Sequence, residues 1–178
     1  MTAPITSNTL GVNVFTAPGK AMVGERPRPF GEALGFDPIT STLIFGEYDA
    51  VLVDAMMTVA EAEALADWVA LHNRNLETIY ITHAHFDHFY GLDILLDRFP
   101  GARAIATPKT LNAMQMSFTP PVERLARRCF PGKCPLSWLP LSRMSTTHSL
   151  SRGTICASSS KATPIAPIRR LYTFHRSA

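Results

Sequence analysis

The sequence predicts a mixed α/β fold of the α+β kind over its first 116 residues. Three observations carry this. Short β-rich apolar runs recur at 41–45, 50–54, 78–81 and 102–106. Between them stand segments whose apolar residues fall at helical spacing. At 178 residues, with 46% of them hydrophobic, the chain can bury one sizeable core.

Gly11 to Thr16 reads as a short strand, and the Pro/Gly-rich stretch from Pro18 to Pro38 as mostly loop. Ser41–Phe45 and Ala50–Asp54, joined by a turn over Gly46–Asp49, read as a hairpin. Thr58 with Glu61 three residues on has the capping-box pattern of a helix start. Leu65, Trp68, Val69 and His72 then share one helical face, and Asn73–Asn75 ends the helix. Thr78–Ile81 is the next strand. A second helix is expected over Tyr90–Arg98, with Leu92, Leu95, Leu96 and Phe99 inward and Pro100-Gly101 stopping it. Ala102–Ala106 is a strand, and Thr107-Pro108 opens a third helix through Met116.

Beyond Met116 prolines at 120, 121, 131, 135, 140, 164 and 167 interrupt a Ser/Thr/Arg-rich stretch, and only Leu136–Leu141 is compactly apolar. Residues 117–178 therefore have the composition of loop or disorder. The charge divides at the same place. Residues 1–116 hold seven Lys or Arg against thirteen Asp or Glu, a net −6, while residues 117–178 hold ten basic residues and one acid, Glu123, a net +9. Arg124, Arg127, Arg128, Arg169 and Arg170 are scattered and lack interleaved aromatics, so nucleic acid is not the expected partner. No run is apolar enough to span a bilayer and the first residues do not resemble a secretory signal, so a cytoplasmic location is expected. Cys129, Cys134 and Cys156 are odd in number and irregularly spaced, and read as free thiols.

The chemistry concentrates at Thr82-His83-Ala84-His85-Phe86-Asp87-His88. Three histidines and an aspartate lie within six residues, and neutral imidazole with carboxylate is a donor set for Zn²⁺ and similar ions. His83 and His85, two apart at a strand end, face one way on extended backbone. Asp87 and His88 follow where the chain curls, and can reach a second ion close by. One histidine in an exposed loop would carry little weight; the clustered pattern after a buried β-run points to metal.

That run resembles the His-x-His-x-Asp-His signature of the metallo-β-lactamase superfamily. The resemblance covers roughly residues 10–116, through a hairpin ending in Leu52-Val53-Asp54, a helix, Ile79-Tyr80-Ile81-Thr82-His83 and the Gly91-Leu92 helix start. It implies an αββα sandwich, here incomplete, with metals at one edge of the two sheets. It implies that His83 and His85 bind a first zinc, Asp87 and His88 a second, and that one or two ions are held. Asp87 would also orient the attacking water and take part in proton transfer, as the catalytic residue. Asp54 resembles the strand-end aspartate that supports the site; a turn or helix-capping role is the alternative. The implied activity is metal-assisted hydrolysis of a small molecule with an ester, lactone, thioester or amide-like bond. Nothing in the sequence speaks to the oligomeric state.

The family pattern stops after the first loop. Only His148 and His175 lie downstream, neither in the expected Gly-His setting, and no Asp follows Asp97. Glu123 alone is left to replace a bridging carboxylate. A shifted reading frame from about Cys129 accounts for this. Back-translation permits L-F-P-G-Q-V-P over Cys129–Pro135, V-D-D-A-F-T-L-E-G over Ser145–Gly153, and G-H-T-D over Ala162–Ile165. The last string resembles the family's third-ligand loop, with its histidine at Thr163. Residues 1–116 are thus expected to be the N-terminal part of the domain and residues 117–178 an irregular basic tail. The alternative to an enzyme is a truncated, inactive family member or a non-catalytic metal-binding module.

Overall fold

A computed structural model describes residues 9–24, 31, 33–135 and 142–146. Its centre is a six-stranded mixed sheet in the order β1 (Gly11–Ala17), β4 (Ile39–Phe45), β5 (Asp49–Val53), β6 (Asn75–Ile81), β7 (Arg103–Ala106) and β8 (Met144–Thr146). β1, β4 and β5 are antiparallel neighbours, whereas β5 to β8 run parallel. The parallel steps need crossovers. α1 (Val59–Ala70) makes the first, α2 (Phe86–Phe89) with α3 (Leu92–Arg98) the second, and α4 (Pro108–Ser117) with α5 (Pro120–Cys129) the third. A small ribbon, β2 (Lys20–Ala21) against β3 (Gly35–Phe36), lies within the stretch expected to be loop.

Cross-strand register explains the core. Leu43, Leu52, Ile79 and Ala104 sit directly opposite one another across four strands, and all four are fully buried. Leu65 and Val69 of α1 and Leu92, Leu95 and Leu96 of α3 join them in one apolar cluster. Phe15 of β1 meets Trp68 of α1 with ring centroids 5.6 Å apart, which places α1 on this face. Thr58 caps α1 as expected: its amide donates to Glu61 Oε2 at 3.1 Å and its Oγ1 accepts from the Glu61 amide at 3.3 Å. Each fully buried leucine of this kind is worth about 2 kcal/mol.

Among the described residues the opposite face is less covered. Val12 and Val14 of β1 are 59% and 55% exposed, and they lie beside the half-buried Ile44, Val51 and Val53. An apolar sheet face ending at an edge strand favours self-association. The double variant Val12→Thr, Val14→Thr is expected to stay monodisperse at several-fold higher concentration by light scattering. Equal aggregation of the two proteins would rule this face out as the cause.

Three expectations change. The helix predicted over Tyr90–Arg98 begins at Leu92, since the Gly91 amide donates to Met56 O, and a separate turn of helix, α2, precedes it. β6 begins at Asn75 rather than Thr78, because pairing with β5 recruits its first residues. Residues 120–129 form a helix, not loop. Pro120 and Pro121 stand at the helix start, where a missing N–H costs nothing. Glu123 in the first turn and Arg127 and Arg128 in the last match the helix dipole, and Arg127 Nε donates to Glu123 Oε1 at 3.0 Å. Ala126, Phe130 and Cys134 enter the core, so packing continues past Met116. Cys129 and Cys134 are free thiols, and burial pushes the Cys134 thiol up to about 11. Residues 136–141, His148, Cys156, Thr163, Arg169, Arg170 and His175 lie outside the described residues. Among the described residues no helix is long and apolar enough to cross a membrane.

Candidate metal centre

The site grows from two parallel strand ends. β5 stops at Val53, and Asp54 turns out of the sheet with a left-handed φ of 67°. β6 stops at Ile81 and leads into the loop Thr82–His85, with His85 at the N-terminus of α2. Loops beyond the carboxyl ends of parallel strands are where such sheets bind ligands.

The Asp54 carboxylate, 6% exposed by residue, organises the loop. Oδ1 accepts from the Thr82 amide at 2.9 Å, and Oδ2 accepts from Thr82 Oγ1 at 2.8 Å and from His88 Nδ1 at 2.9 Å. Thr82 Oγ1 also lies 2.9 Å from His83 Nδ1. Two further bonds hold the loop from outside. Ala55 N donates to His88 O at 2.7 Å, and Ser117 Oγ of α4 donates to Ala84 O at 3.2 Å.

The imidazoles gather. The His83 and His88 ring centroids are 4.0 Å apart, and those of His83 and His85 are 4.6 Å apart. His88 Nε2 lies 3.2 Å from Asp87 Oδ2. Hydrogen bonds to the Asp54 and then the Asp87 carboxylate raise the His88 pKa to about 9. Burial, then the charges of His88 and His85, hold His83 below the ordinary histidine range. Burial raises Asp87, but the His88 hydrogen bond and charge outweigh it and leave its carboxyl below the usual range.

The structure therefore brings His83 and His85 of the loop together with Asp87 and His88 of α2, and places Asp54 against His88. Donor chemistry fits a borderline divalent cation. A carboxylate bound to His88 Nδ1 leaves Nε2 as the outward-facing nitrogen, the usual orientation of a ligating histidine. The fit is partial: among the described residues no group of three or more His, Cys, Asp or Glu side chains converges as a closed metal site would. Glu123, the one remaining acid downstream, is engaged with Arg127 on α5. Two supporting residues were not singled out from the sequence. Thr82 stood inside the motif without a role. Ser41 looked like any strand residue, because its partners are backbone carbonyls twelve and thirteen residues away.

The chain thus has a mixed α/β sheet with a His/Asp cluster beyond the ends of two adjoining parallel strands. The sequence model of the metallo-beta-lactamase superfamily matches residues 34–116 of this chain. Comparison with curated proteins gives no match. Among solved structures, the chain is similar to a metallo-beta-lactamase from Hirschia baltica, with 24% identity and a TM-score of 0.44 over 60% of this chain and 43% of that one. It is similar to the metallo-beta-lactamase FIM-1 from Pseudomonas aeruginosa in the mono-zinc form, with 17% identity and a TM-score of 0.43 over 60% of this chain and 42% of that one. The chain thus spans less than half the length of these solved structures.

Proposed function

We propose that this chain carries the first half of a zinc-dependent hydrolase site, descended from enzymes that cleave an ester, lactone, thioester or amide-like bond. The observation that carries this reading is the cluster of His83, His85 and His88 with Asp87, held by a buried Asp54. His83 and His85 would hold one ion, and Asp87 and His88 a second. Bound zinc supplies a water acidic enough to yield hydroxide near neutral pH. Asp87 would orient that water and take part in the proton transfer. Asp54 keeps His88 turned so that Nε2, not Nδ1, faces the site. Loading must displace the His88 proton, so zinc uptake is expected to strengthen as pH rises.

The isolated chain is expected to be a poor enzyme. Its sequence offers no Asp after Asp97, and the described residues close no complete ligand set. Metal analysis is expected to find fewer than two tightly held zincs per chain, with negligible turnover of ester and lactone substrates. Replacing His83 and His85 together with alanine should abolish what zinc binding there is, whereas a module binding elsewhere would be indifferent. Two stoichiometric zincs with lactone or ester turnover would overturn the incomplete-site reading. A shifted frame from about Cys129 is the cause we favour for the missing ligands. An intact frame in gene and transcript, with no nearby insertion or deletion, would exclude it.

A further inference from the structure

We propose that Ser41 is a positioning residue for Asp54, and through Asp54 for Thr82 and His88. Its consequence for metal binding rests on the reading above; its effect on Asp54 does not.

Pairing between β4 and β5 ends at Thr42 opposite Val53. Ser41, the next residue back along β4, is 1% exposed. A hydroxyl so placed costs stability unless it is bonded. Ser41 Oγ lies 2.9 Å from Val53 O and 2.9 Å from Asp54 O, so one hydroxyl faces the last carbonyl of β5 and the first beyond it. That second carbonyl belongs to a residue with φ of 67°, a conformation that costs a non-glycine residue about 1 kcal/mol or more and persists only when held. The Asp54 amide donates to Tyr80 O at 2.9 Å. Asp54 is therefore clamped on its N–H side by β6 and on its C=O side by Ser41. Between the clamps its carboxylate points at the Thr82 amide, Thr82 Oγ1 and His88 Nδ1. The hydroxyl has one hydrogen, which these two carbonyls share, and without it that donor is lost to both. Rotation of the peptide after Asp54 would relieve this, and it would turn the Ala55 amide away from His88 O and free the backbone that aims the Asp54 carboxylate at Thr82 and His88.

The test uses the full chain with Ser41→Ala, the hydroxyl-retaining Ser41→Thr, and Val69→Ala as a core variant remote from Asp54. Amide hydrogen exchange at Thr82 is read in the metal-free proteins, and zinc affinity is read by competition with a chromophoric chelator. Ser41→Ala is expected to speed Thr82 exchange about tenfold relative to the amides of α1 and to weaken zinc about tenfold, the lower end for lost outer contacts. Ser41→Thr is expected to recover both, and Val69→Ala to lower Tm while changing neither. Should Ser41→Ala not fold, Ser41→Cys keeps the volume with a far weaker donor and carries the same comparison. Unchanged Thr82 exchange in Ser41→Ala, or the same change in Val69→Ala, overturns the proposal. A wild-type chain that takes up no zinc sinks the metal reading alone; Thr82 exchange still decides the role of Ser41.

Discussion

Replacing Gly91 with alanine is expected to destabilise the chain by about 3 kcal/mol, the upper part of the range for overpacking a buried site. A Cβ at Gly91 would lie 2.2 Å from Ala55 O and 2.6 Å from Ala62 Cβ. Neither neighbour is the tip of a flexible side chain. One is backbone and the other is rooted on the buried face of α1. Gly91 has φ of −77°, which any residue adopts, so space and not conformation demands glycine here. The amide of Gly91 also donates to Met56 O at 3.0 Å, in a turn where Met56 has φ of 66°. Relief of the clash must move Ala55, whose own amide holds His88 O. A thermal melt should show Tm lowered by roughly 10 °C, with zinc affinity falling alongside it. A Tm within one or two degrees of wild type would show that α1 and the Asp54 turn are looser than this packing requires.

The second large effect is a loss of stability with rising pH in the metal-free chain. Asp54 and Asp87 raise His88 from 6.5 to about 9 in the folded protein. The folded state thus holds the proton more tightly than the unfolded one. The stabilisation is complete below pH 6.5 and is lost as pH rises through about 9. The raised value corresponds to roughly 3 kcal/mol at most, and solvent screening of a partly exposed ring reduces this to about 2 kcal/mol. Urea unfolding with chelator present should show that loss between pH 6 and pH 9.5. Asp54→Asn removes the first-named cause of the raised value, so its stability should fall by less than half as much over the same interval. Parallel pH profiles for the two proteins would show that Asp54 does not set the His88 proton. The same variant is expected to weaken zinc by 10- to 100-fold, because His88 loses the carboxylate that orients it.

Much of the N-terminal half was legible because its signals are local. The Thr58–Glu61 capping box, the period-3.6 face through Leu65 and Val69, the Thr107-Pro108 helix start and the β-rich runs each depend on neighbours a few residues away. Errors fell where distant contacts outweighed local pattern. The Lys20–Ala21 ribbon forms because Gly35-Phe36 returns to pair with it. The helix α3 starts at Leu92 rather than Tyr90 because the Gly91 amide is taken by Met56 O, 35 residues back in the chain. The helix at Pro120–Cys129 was hidden by two prolines that, out of context, read as breakers and, at a helix start, cost little.

The sequence by itself determined which candidate donor side chains stand from His83 to His88, and that their spacing suits one strand-end segment. It also shows that, within these 178 residues, no Asp follows Asp97. Tertiary structure decided the rest. Asp54 and Thr82 are 28 residues apart in the chain, and only the parallel pairing of β5 with β6 puts the carboxylate against the Thr82 amide and His88. Spacing along a chain records which donors are present. Their protonation and aim depend on groups brought up from other strands, through hydrogen bonds that exist only once the sheet has formed.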